Sequence, residues 1–151
     1  MLFYHGTCDA FLPAIKRVGL KPTPTNNFRI DSPNAGNLRT LEGKTRFVYL
    51  TPNRSVAEFF ALYRSWFERG EVGEIVPQLN MLKTGGKVIP TAKPVVLTLD
   101  VPKTIASRLS HDTLSHGLVY PGDIPASCIV KVARIRLRAI SSLPPSVTAS
   151  I

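Results

Sequence analysis

The chain has 151 residues, 44% of them hydrophobic, and a net charge of +9. That length suits one domain with its own core. No window approaches the roughly 20 apolar residues of a membrane span and no basic stretch opens a secretory signal, so a cytoplasmic protein with no membrane partner is expected.

Residues 2–5 read as a short strand, and "DAFLPAIKRVGLKP" as a helix and its stop. Pro13 fits only the first turn, where its missing N–H costs little. Phe11, Ile15 and Val18 share an apolar face, and Gly19 is a natural terminator. Residues 21–46 carry Pro, Asn, Thr and Gly without a period. They read as a long loop, made basic by Arg29, Arg39, Lys44 and Arg46. A loop this long in a small domain is often functional. "RFVYLT" (46–51) has strong strand preference.

"SVAEFFALYRSWFERG" is the clearest helix. Ser55 and Glu58 have the spacing of a capping box. Val56, Phe59, Phe60, Tyr63 and Phe67 form a broad apolar face that reads as core. Gly70 ends it. Residues 71–94 resist assignment; 95–100 form a strand, "TIASRL" a short helical turn, "GLVY" a strand and "PGDIP" a turn. "SCIVKVARIRLRAI" is a long strand with Val130, Val132 and Arg134 on one face and Ile129, Lys131 and Ala133 on the other. The order of elements predicts an α+β domain with a strongly twisted or split sheet over residues 1–140, and an irregular tail over 141–151.

Cys8 and Cys128, the only cysteines, make neither a zinc site nor a disulfide framework. His5, His111 and His116 lack ligand spacing, so no metal is expected, and neither a phosphate loop nor a nucleophile elbow is present. The basic excess suits a polyanionic partner, such as nucleic acid or an acidic protein, or simply a solvated surface. What remains is a histidine that closes the first apolar run, "FYHGT", and Tyr49 inside a later one.

Four stretches, taken together, resemble the ADP-ribosyltransferase superfamily: "FYHGTCDAFLPAIKRVGLKP", "RFVYLTPNRSVAEFFA", "KPVVLTLDVP" and "GLVYPGDIPASCIVKV". The resemblance implies a split, twisted β-sheet flanked by short helices, with NAD held in a cleft. By position it implies that His5 hydrogen-bonds a ribose of NAD and that the Gly6 backbone pairs with the nicotinamide amide. Tyr49 would stack on the nicotinamide ring, and His5 and Tyr49 would face one cleft. Thr7, Arg46 and Tyr63 join the expected cofactor-binding set, with the basic loop meeting the pyrophosphate through Arg29, Arg39 and above all Arg46, since arginine's fork supplies paired donors. The residue types suit those tasks: imidazole bonds hydroxyls, an aromatic holds a flat ring, and glycine admits a close approach.

The family's third signature position is a glutamate. Here the corresponding stretch is "SHGLVYPGDIPAS", so His116, nearest by position, joins His5 and Tyr49 as a catalytic candidate to orient the ribose, with Asp123 later in the turn behind it. The implied activity is NAD-dependent mono-ADP-ribosylation of a macromolecule: RNA, DNA or an acidic protein. Two alternatives stay open. The tRNA 2′-phosphotransferases are similar in the rhythm of "HGLVYPGDIPAS", although Tyr49 stands where they carry a histidine. An inactive member of the fold would bind a nucleotide or a protein partner. The rifampicin-modifying transferases have a similar "FYHGT" opening.

Overall fold

The structure, a computed structural model, describes residues 1–24, 28–31, 46–70, 80–83, 88–111 and 117–135. The fold is α+β. The first strand, β1 (Leu2–Cys8), runs past its expected end at residue 5. A 3-10 turn (Asp9–Phe11) and helix α1 (Leu12–Val18) follow, with Pro13 in the opening turn. Gly19 stops α1 at φ 81°, where a Cβ would sit 2.9 Å from the Ala126 amide nitrogen. Only a glycine takes both that angle and that space. Ile15 is buried, but Val18 is exposed, so the apolar face is shorter than its spacing suggests.

The expected loop holds two short strands, β2 (Thr23–Pro24) and β3 (Phe28–Asp31). β4 (Arg46–Leu50) lies where its composition places it. Helix α2 (Arg54–Arg69) ends at Gly70 in the left-handed conformation, as expected. Its start differs. Asn53 is the cap and accepts from the Ser55 amide at 2.9 Å, while Glu58 pairs with Arg54 at 3.1 Å. The Ser55–Glu58 capping box is not formed, because the helix begins one residue before Ser55.

β5 (Asn80–Lys83) pairs with β3. Then come β6 (Pro94–Asp100), the short helix α3 (Lys103–Ala106), β7 (Ser110–His111) and β8 (Leu118–Tyr120). A 3-10 turn (Ala126–Cys128) leads into β9 (Ile129–Arg134). The tail expected over 141–151 lies outside the described residues.

The sheet is split. One part has the order β1-β6-β9 and another β2-β4-β8-β7, with β3-β5 separate. The main core lies between the first two. Phe3, Leu97 and Leu99 come from one side, and Val48, Leu50 and Tyr120 from the other; Ile15, Ile105, Ile124 and Cys128 close it. Each buried aliphatic side chain there contributes roughly 1.5–3 kcal/mol. Helix α2 covers the opposite face of β1 and β6, where Ala57 and Ala61 meet Val96. Small residues at that contact let helix and strands approach closely. No helix among the described residues is long and apolar enough to cross a membrane.

Candidate functional site

The hydrogen-bond pattern of β1 decides where the sheet opens. The Val101 amide donates to the Met1 carbonyl at one end of the β1–β6 ladder, and the Asp9 amide to the Lys93 carbonyl at the other. Odd-numbered residues of β1 are therefore bonded to β6, and even-numbered ones point their N–H and C=O away from it. Tyr4 accordingly exchanges two bonds with Thr51 at the end of β4, at 2.8 and 3.0 Å. This antiparallel bridge makes Gly6 and Tyr49 the next pair in register.

That second rung is replaced. The Tyr49 carbonyl accepts from His5 Nδ1 at 2.7 Å. A side chain has taken the acceptor that the Gly6 amide would have used, and beyond the Tyr4–Thr51 bridge no main-chain bond joins β1 to β4 among the described residues. The N–H and C=O of Gly6 consequently point into the slit between the strands.

The same bond fixes the chemistry of His5. A carbonyl oxygen only accepts, so Nδ1 carries the hydrogen. Burial lowers the His5 pKa below 6.5; the bond to Tyr49 opposes this, and the nearby Arg64 charge adds to it. The neutral ring then presents Nε2 as an acceptor of set orientation, ready for a hydroxyl.

Gly6 has a second constraint. A Cβ on it would overlap the Ala57 carbonyl and lie 2.6 Å from the Ala61 nitrogen. Its missing side chain thus serves the contact with α2, and its main chain alone is turned to the slit. Thr7 is buried, on the same side of β1 as His5.

Tyr49 does not share a face with His5, contrary to the expectation of one common face. Val48 and Leu50 point into the inter-sheet core, so alternation sends the half-buried Tyr49 ring to the other side of β4. His5 leaves β1 on the core side, with Phe3. The reason is register: Gly6, rather than His5, stands opposite Tyr49. The slit therefore has His5 on one face, with the Gly6 main chain and the Tyr49 ring towards the other.

Tyr63 lies in α2 within an aromatic row, 5.6 Å from Phe59 and 6.4 Å from Trp66 between ring centroids. Its hydroxyl is buried without a hydrogen-bond partner, and burial raises its pKa. On the turn of α2 that touches Gly6, the exposed aromatic is Phe60, a residue its spacing had assigned to the core. Arg46 pairs with Pro24 at the start of β4; its side chain and that of Arg29 lie outside what is described. His116 and Arg39 lie outside the described residues.

Sequence reasoning gave no role to a polar pair behind β1. Arg64 and Glu68 pair at 3.0 Å, both largely buried, and the guanidinium stacks 5.0 Å from the Phe11 ring centroid. The pair acts electrostatically on Cys8, whose pKa burial raises. Its only sequence signal was the i,i+4 spacing of opposite charges within an aromatic helix. Cys8 and Cys128 are both buried free thiols. No group of metal-binding side chains occurs among the described residues.

In the described part of the third segment, residues 117–127, the one carboxylate is Asp123, which is paired with Lys21 at 3.2 Å on the surface. No protein-family model matches this chain, and no curated protein does.

Proposed function

We propose that the chain is an ADP-ribosyltransferase-like enzyme that binds NAD in the slit between β1 and β4 and transfers ADP-ribose to a macromolecule. One observation carries the reading. His5 bonds the Tyr49 carbonyl that the Gly6 amide would have used, so the next residue's main chain, turned away from β6, has no partner on β4 among the described residues.

These groups fit the nicotinamide end of NAD. The Gly6 N–H and C=O offer one donor and one acceptor, the complement of a carboxamide. His5 Nε2 accepts from a ribose hydroxyl, while the Tyr49 ring lies on the opposite face of the sheet and takes no part in this contact. In the transfer, the acceptor forms a bond to the ribose C1″ as the bond to nicotinamide breaks. Nicotinamide leaves with the electron pair and the acceptor gives up its proton. The protein lowers the barrier by holding the sugar and ring in place.

A second reading is a nucleotide-binding module without transferase activity. It is favoured by the pairing of Asp123, the one carboxylate in residues 117–127, and of Glu58 and Glu68 with basic residues. The two part in one experiment. Purified protein is incubated with adenylate-labelled NAD and a cell lysate, and the products are split into protein and nucleic acid. Transferase activity predicts label in one fraction, lost with His5→Ala. Intact NAD with label in neither supports the binding module.

A further inference from the structure

β9 is the outer strand of the β1-β6-β9 sheet, paired on its β6 side alone among the described residues. The Ile135 amide donates to the Pro94 carbonyl at 3.2 Å, which sets the phase of the ladder. Ala133 and Lys131 therefore bond β6, opposite Val96 and Thr98, while Arg134 and Val132 turn their N–H and C=O outward. The register slips between Thr98 and Leu99, leaving Val130 as an extra residue at a bulge. Val130 is 58% exposed and Val132 37%, high for valines on a sheet.

A groove of about 260 Å³ runs beside this edge, lined by Lys16 of α1 and by Ala126, Ile129, Val130, Lys131 and Val132. Its floor is aliphatic, and among the described residues its charges are positive and no carboxylate lines it. The Arg134 guanidinium lies 3.7 Å from Asp9, so the two lysines carry the charge that faces the groove.

We propose that this edge docks an extended acidic segment of a partner protein, which adds as a strand beside Val132 and Arg134. The outward N–H and C=O groups need a polypeptide backbone as their complement. The exposed valines suit alternate apolar side chains, and Lys16 and Lys131 suit carboxylates between them. A second copy of the chain fits poorly, because pairing two β9 edges would set Lys131 and Arg134 of one against their counterparts in a chain of charge +9. Nucleic acid fits poorly as well: it cannot complete a β ladder, and the groove has no aromatic ring to stack a base. β6 separates this edge from β1, so the inference stands apart from the NAD reading.

The test is fluorescence polarisation of the full chain with a labelled peptide of alternating valine and glutamate. Saturable binding is expected. N-methylation of alternate peptide amides, and Val132→Pro, should each weaken it about tenfold or more by removing ladder bonds. Val132→Pro removes an amide that β6 does not use, and the N-methylated peptide tests the same bond on the unaltered protein. Lys16→Glu with Lys131→Glu should weaken binding and flatten its salt dependence. The proposal is overturned if the N-methylated peptide binds equally well. It is also overturned if a valine–lysine peptide does, if the acidic peptide fails to bind, or if only an oligothymidine control binds.

Discussion

His5 does two things with one ring, and each has a measurable consequence. Its Nδ1–H holds the Tyr49 carbonyl, and its desolvated neutral form keeps Nε2 open. The sign of the resulting pH effect follows from linkage. The folded-state pKa lies below the unfolded value, so the unfolded chain takes up the proton first as pH falls. The stability linked to His5 is complete above pH 6.5 and is lost as pH drops towards the folded value. Urea midpoints between about pH 7 and pH 5 should fall more steeply for the wild type than for His5→Gln. Parallel slopes would remove His5 as the source. Tyr63 makes the opposite case, a buried hydroxyl with no bond to lose. Tyr63→Phe should hold or raise stability, by up to about 1 kcal/mol, and leave NAD affinity unchanged. A loss of affinity in that variant would return Tyr63 to the cofactor site. Sequence alone singled out His5 because an imidazole ending an apolar run is unusual. It could not have found the bond to Tyr49, which depends on register between residues 44 positions apart.

Elements with strong local signals were legible. β4 and β6 are rich in β-branched and aromatic residues, and α2 carries a clear apolar period ended by a glycine. The strands that escaped, β2, β3, β5 and β7, have two to four residues each and exist through their partners rather than their own preference. Helix starts fall between these cases. Both Asn53 and Ser55 are good caps, and the turn closed by the Asn53 amide on Thr51 Oγ1, at 3.1 Å, selects the first. Asn53→Ala should therefore cost about 1 kcal/mol, whereas Ser55→Ala should change stability by well under that. Thermal unfolding of the two variants separates them, and the reverse order would restore the capping box. The core face expected of α2 holds at Val56, Phe59, Tyr63 and Phe67, which are buried, and fails at Phe60, which is exposed. The aromatic period of α2 is plain, yet Ala57 and Ala61 meet β1, because a glycine in the strand admits a helix only where the helix is also small.

At the scale of the molecule, two sheets share one core and, among the described residues, are joined by one main-chain bridge, Tyr4 to Thr51. The α+β class and a split sheet were legible from the order of strands and helices. The position of the split was not, since it arises where one side chain displaces one rung. NMR addresses that position directly. The full chain, with isotope-labelled main-chain amides and imidazoles, is titrated with NAD. The Gly6 amide and His5 Nε2 signals should move together and saturate, with Nδ1 still protonated. If both stay fixed up to millimolar NAD, or the only shifts lie away from β1 and β4, the slit is not a nicotinamide site.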